Sequence, residues 1–134
     1  MRVDPNQPNL RQVHLIHAEL LTELRERGFA VEPGDLGENI LTIGIDVLAL
    51  PRGTILTILP SGARLEITGL RNPCAQIEAF RPGLLSAVLE KSREGSLVRK
   101  AGVMAIVLTS GAIGPGNTIT VELPPLPHRA LEPV

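Results

Sequence analysis

The sequence predicts a mainly β domain with α insertions, closed or nearly closed into a small β-barrel. Three observations point there. Six short apolar segments have the length and composition of strands, and two helical stretches interrupt them. Strict alternation of strand and helix is missing, which argues against a doubly wound parallel sheet. The core is aliphatic, because hydrophobic residues make up 43% of the chain while Phe29 and Phe80 are its only aromatic residues. With 134 residues the chain forms one domain, residues 1–134, and is too short for two ordinary ones.

The elements follow in order. Residues 1–9 are polar, carry Pro5 and Pro8, and read as a loose entry. Val13–Ile16 is a short strand. Ala18–Arg27 is a helix, with Leu20, Leu21 and Leu24 on one face, and Gly28 stands where its C-cap belongs. Pro33-Gly34 marks a turn. Ile40–Ile45 is too apolar to alternate and is expected as a strand buried on both faces, ended by Pro51-Arg52-Gly53. Thr54–Leu59 and Ala63–Leu70 form a hairpin around Pro60-Ser61-Gly62. Its second arm alternates Leu65 and Ile67 with Arg64, Glu66 and Thr68. Asn72-Pro73 starts a helix as N-cap and first helical residue. That helix breaks near Arg81-Pro82-Gly83 and resumes over Leu84–Lys91. Residues 91–100 are a charged loop, Gly102–Leu108 a central strand, Gly111–Asn117 a turn, and Thr118–Glu122 the last strand. Residues 124–134 form an extended, proline-rich tail.

Composition narrows the function. Lys and Arg total 13 against 14 Asp and Glu, which lacks the basic excess of a general nucleic-acid binder. With no Trp and no Tyr there is no base-stacking platform either, so no nucleic-acid partner is expected. A single cysteine leaves no intrachain disulfide framework and no cysteine-rich zinc site. The opening residues hold no apolar run of the signal-peptide kind, and the longest apolar run, Val103–Leu108, is far short of a membrane span. No membrane contact is expected, and the default location is cytoplasmic.

Cys74 is the most informative position. At the start of a helix, backbone N–H groups and the positive end of the helix dipole favour its thiolate, and Arg71 adds to this. A thiol of that kind attacks sulfur or carries a persulfide; the alternative is a small buried apolar residue. His14 and His17 have no carboxylate or thiol completing a metal set nearby and read as structural or surface histidines. Glu38 and Asn39 follow Gly37 ahead of the strand at residue 40. They read either as a polar turn or as a carboxylate and an amide held at a barrel mouth. Arg93, Arg99 and Lys100 form a solvated loop or an anion site. Gly114-Pro115-Gly116 is a turn, since Pro115 removes a donor from any phosphate cradle.

The order of these segments resembles a MOSC domain, named for the C-terminal domain of molybdenum cofactor sulfurase. The matching stretches are Pro33-Gly34-Asp35-Leu36-Gly37-Glu38-Asn39-Ile40, then Gly69 through Asn72-Pro73-Cys74, then Lys100–Val107 and Gly111–Ile119. The likeness runs from about Leu10 to Leu123. It implies a β-barrel that handles sulfur on molybdenum cofactor (molybdopterin) or on related metal–sulfur centres, with Cys74 as the sulfur carrier. Glu38 and Asn39 match the family's Gly-Glu-Asn block. Arg71, Asn72, Arg99 and Lys100 join them as expected cofactor-binding residues, because the pterin cofactor carries a phosphate that arginine grips as a fork. The implied partners are a cysteine-desulfurase-like sulfur donor and a molybdoenzyme acceptor. Molybdenum-ion and pyridoxal-phosphate binding also come with the family. No lysine is identifiable here as a pyridoxal-phosphate anchor, so another protein would mobilise the sulfur.

Two departures shape the expectation. Members of this kind usually begin with further strands and a Gly-Asp-x-His segment ahead of the equivalent of Leu10, so the barrel is expected to be incomplete on its N-terminal side. Asn117 stands where the family commonly has Asp. An open barrel exposes unpaired strand edges. Self-association through that edge, or its cover by residues 1–12 or by the tail 124–134, is therefore expected. Two other readings remain open: a non-catalytic module binding the pterin cofactor or a partner, and a shortened, inactive remnant of the fold. The shared-site expectation is that Glu38, Asn39 and Cys74 surround one concavity, with Arg71, Arg81, Arg99 or Lys100 at its rim.

Overall fold

A computed structural model describes residues 11–72, 75–91 and 97–134 of the chain. Its main feature is a six-stranded, curled half-barrel. In chain order the strands are β1 (Val13–His17), β2 (Ile40–Thr42), β3 (Ile55–Leu59), β4 (Ala63–Leu70), β5 (Leu89–Lys91), β6 (Leu97–Arg99), β7 (Val103–Thr109) and β8 (Thr118–Glu122). The helices are α1 (Ala18–Glu26), α2 (Ala75–Phe80) and α3 (Leu84–Val88). The large sheet has the order β2-β1-β7-β4-β3-β8, and β5 and β6 form a separate antiparallel pair.

The expected hairpin is present: β3 pairs with β4 antiparallel, Ile58 opposite Ala63 and Ile55 opposite Glu66. The central strand is also present, since β7 pairs with β1 on one side and with β4 on the other. A bulge at Thr68 shifts the β4–β7 register, and Thr68 Oγ1 donates to the Met104 carbonyl at 3.1 Å. Helix α1 ends as expected. Gly28 N–H donates to the Arg25 carbonyl and Phe29 N–H to the Leu24 carbonyl, at 3.0 and 2.9 Å, a Schellman closure.

Three expectations are corrected. First, β2 is only three residues long and is not the strand buried on both faces. The chain turns away at Gly44, Ile43 is 82% exposed, and Asp46 caps the short 3-10 turn Val47–Ala49. The doubly covered strand is β1, where Leu15 and Ile16 are both fully buried. Strand β2 also lies parallel to β1, so α1 is the crossover of one β-α-β unit within an otherwise antiparallel sheet. Second, the resumed helix stops at Val88, and Leu89–Lys91 turns into a strand. Third, the charged loop is partly a strand: Leu97–Arg99 pairs with Leu89–Lys91, Leu89 opposite Arg99. Three-residue strands are too short to show a period in sequence.

Two apolar clusters hold the sheet. On its outer face Ile16 packs with Leu20, Leu21 and Leu24 of α1 and with Ile77 and Leu84 beneath α2 and α3. On its inner face Leu15, Leu56, Leu65, Ile67 and Val103 form the half-barrel core. Alternation along β1 feeds both clusters, which is the period of two expected of a strand.

Among the described residues, β2 pairs only with β1 and β8 only with β3, so both outer edges of the sheet lack a strand partner. A cavity of about 370 Å³ lies between them, lined by Leu41, Thr42, Ile43, Ile45 and residues 116–119. The proline-rich tail does not cover this opening. It runs instead along the end of β4, where Leu70 N–H donates to the Glu132 carbonyl at 2.8 Å and Val134 N–H to the Leu70 carbonyl at 3.1 Å. Residues 1–10 lie outside the described residues. Gln12, the residue just before β1, donates its N–H to the Ala105 carbonyl of β7 at 3.1 Å.

Candidate functional site

The loop ahead of β2 is built first by local bonds. Gly34 N–H donates to Glu38 Oε2 at 2.7 Å and Gly37 N–H to the Gly34 carbonyl at 2.9 Å, which curl residues 34–38 into a tight polar loop. Asn39 then ties the loop to β1 twice. Its Oδ1 accepts the His14 N–H, and its own N–H donates to the His14 carbonyl, both at 2.8 Å. An asparagine does this because its short amide reaches the backbone of a neighbouring strand as another strand would.

Strand β4 leads into the second half of the site. Arg71 N–H donates to the Gly102 carbonyl at 3.0 Å, and the Arg71 guanidinium donates through Nη1 to the Leu36 carbonyl. Arg71 lies three positions before Cys74 in sequence. Its side chain borders a cavity of about 160 Å³ with Asp35, Leu36, Gly37, Ile77 and Phe80. Asn72 accepts from Arg99 Nε at 3.2 Å, which joins the end of β4 to β6. Pro73 and Cys74 lie outside the described residues, so the expected helix-start placement of Cys74 falls there as well.

Seen from the sheet, the expected site residues divide. Arg71 borders the outer cavity, on the side of α2. Asn39 faces a second cavity, of about 370 Å³, inside the half-barrel with Val13, Ile40, Leu65, Val107, Thr109 and Ile113. The Gly37–Asn39 loop separates the two. Lys100 is drawn to α1, where its Nζ lies 2.6 Å from Glu23 Oε1. Arg81 stacks over the Phe80 ring, 4.6 Å from its centroid. One oxygen of Glu38 is notable: Oε1 is buried and has no hydrogen-bond partner among the described residues. A buried acceptor without a donor costs on the order of 1–3 kcal/mol.

His14 makes bonds to both the Asn39 loop and the Ala101 peptide. It is structural, as expected, and buried, with its Nε2 2.7 Å from the Ala101 carbonyl. Against that acceptor the nitrogen must carry the proton. Burial pushes the His14 pKa below its ordinary value. The Ala101 carbonyl opposes this, Arg71 adds to it, and the Gly37 carbonyl and Glu38 oppose it more weakly. The only trace in sequence is a polar side chain inside the apolar strand Val13–Ile16. His17, at the other end of β1, lies 3.8 Å from Asp46 through Nε2. Among the described residues no group of His, Cys, Asp and Glu could hold a metal ion, and no helix is long and apolar enough to cross a membrane.

Comparison with known proteins agrees with the fold. The MOSC domain family model matches residues 6–120. No curated protein matches the chain. Among solved structures, YiiM from Geobacillus stearothermophilus superimposes with a TM-score of 0.72 at 21% identity, over 90% of this chain and 58% of that one. The YuaD protein from Bacillus subtilis superimposes with a TM-score of 0.67 at 30% identity, over 84% of this chain and 64% of that one. The chain thus spans somewhat under two thirds of the length of each.

Proposed function

The chain belongs to the MOSC domain family, and from that premise we propose that it carries sulfur on Cys74 as a persulfide for a molybdenum or related metal–sulfur cofactor. One observation carries the reading. The Arg71 bond to the Leu36 carbonyl ties the residue before Asn72-Pro73-Cys74 to the residue before Gly37-Glu38-Asn39, which supports a site shared by the two sequence blocks. In the proposed step the Cys74 thiolate attacks the outer sulfur of a donor persulfide. A new S–S bond forms on Cys74, the donor's S–S bond breaks, and the donor leaves as a thiolate. Arg71 supports the thiolate electrostatically.

The donor set suits molybdenum cofactor by type. Glu38 Oε1 is buried and has no hydrogen-bond donor among the described residues, and a pterin ring offers N–H groups. Glu38 would meet the ring, Arg71 and Arg99, the latter beside Asn72, would hold the phosphate, and Asn39 would keep the loop in place through its bonds to His14. The bound cofactor would supply the metal centre that accepts sulfur. Lys100, paired with Glu23, would contribute only long-range charge. Pyridoxal phosphate belongs, in this reading, to the cysteine-desulfurase-like donor, and a molybdoenzyme is the acceptor. The proposed setting is the cytoplasm.

The test is direct, because Cys74 is the only cysteine. Incubated with a cysteine desulfurase and free cysteine, the chain should gain the mass of one sulfur atom, and Cys74→Ser should gain none. A wild-type chain that takes up no sulfur overturns the reading. If that chain still binds a pterin, the non-catalytic binding module replaces it.

Self-association through the edges of β2 and β8, which have no strand partner among the described residues, is proposed alongside. Sedimentation at rising concentration should show a dimer, and a monomer throughout would refute it.

A further inference from the structure

The deeper inference rests on that reading of the site and concerns how its two halves are kept together. His14 is 6% exposed and lies on the strand covered on both faces. Its backbone exchanges two hydrogen bonds with Asn39, each 2.8 Å. Its ring donates to the Ala101 carbonyl at 2.7 Å and also faces the Gly37 carbonyl. The next residue, Gly102, accepts the Arg71 N–H at 3.0 Å. Two charged groups face the ring: Arg71 from the end of β4 and Glu38 from the loop.

We propose that His14 is a positioning residue, which holds the Gly37–Asn39 loop in register with Arg71 at the end of β4. The residue is the bridge between them. Its backbone meets Asn39 of the loop, its ring donates to Ala101, and the peptide after Ala101 holds Arg71. An apolar side chain of equal size would fill the space and leave the Ala101 carbonyl without its donor. A neutral ring donates one N–H. A protonated ring donates two and adds a positive charge beside Arg71, so acid should loosen the Arg71 half of the site.

The direction with pH follows from burial. The folded-state pKa is pushed below 6.5, so the unfolded chain takes the proton first. Stability tied to His14 is complete above about pH 6.5 and is lost as the pH falls through the lower folded-state value.

The experiment is an NMR titration of the full chain, paired with the iodoacetamide rate at Cys74. The His14 ring signals should give a midpoint below 6.5, and the Asn39 and Arg71 amide signals should move with the same midpoint. His14→Gln can still donate to the Ala101 carbonyl. It should keep the neutral-pH amide positions and a Cys74 rate within about twofold, and lose the inflection. His14→Leu should shift both amides and change the Cys74 rate by up to about tenfold, the equilibrium worth of one hydrogen bond. If the leucine variant does not fold, the wild-type titration and the glutamine variant decide. Asn39 and Arg71 amides that ignore the His14 midpoint overturn the proposal, as does an inflection that survives in His14→Gln. Failure here is distinct from failure of sulfur carriage. A chain that never gains sulfur but shows the shared midpoint rejects the persulfide and keeps the bridge.

Discussion

Gly102→Ala is expected to cost on the order of 3–5 kcal/mol of stability, combining left-handed backbone strain with overpacking. Gly102 opens β7 at φ +98°, a conformation that L side chains rarely adopt. An added Cβ would fall within the radius of the Leu15 carbonyl oxygen and 2.8 Å from both His14 Nε2 and Ile16 Cγ1. All three atoms belong to β1 at its most buried point, so nothing near can swing aside. The carbonyl of Gly102 also holds the Arg71 N–H, so the substitution should disturb the site along with the fold. Urea denaturation should show a lower midpoint with an unchanged slope. Gly114→Ala is the control. That glycine has open space where the Cβ would go and needs no positive φ, so its effect should stay within about 0.5 kcal/mol. A Gly102→Ala loss no larger than the control's would mean that β7 can shift away from β1.

The second large effect is expected at Gly69→Ala, and it should release the tail while the sheet stays folded. A Cβ on Gly69 would overlap the Glu132 carbonyl oxygen and come within 2.6 Å of Val134 Cγ1. That carbonyl accepts the Leu70 N–H, and Leu131 of the same tail packs on the inner core. Losing the bond and part of the apolar contact should cost about 1–3 kcal/mol. The discriminating measurement is a double-mutant cycle with a chain lacking residues 130–134. With the tail gone, Gly69→Ala should cost little, about 0.5 kcal/mol or less, because the atoms it struck are absent. Equal costs in both backgrounds would place the damage in β4 itself.

The local elements were legible in the sequence by itself. The hairpin around residues 60–62, helix α1 with its Gly28 closure, the central strand β7 and the last strand β8 all stand where period and turn chemistry put them. Each depends on residues a few positions apart, which is the range over which period and caps act. The blocks carrying Glu38, Asn39 and Cys74 were visible by family likeness. Only the tertiary structure decided which strand lies buried on both faces, because burial depends on neighbours that are distant in sequence. Strand β1 has α1 over one face and β4 residues beneath the other, whereas Ile43, no less apolar, stands in solvent at an edge. The parallel β1–β2 pair and the β5–β6 pair were decided in the same way. So was the bridge through His14: its partners Asn39 and Ala101 are 25 and 87 residues away, and no local pattern encodes a bond of that span.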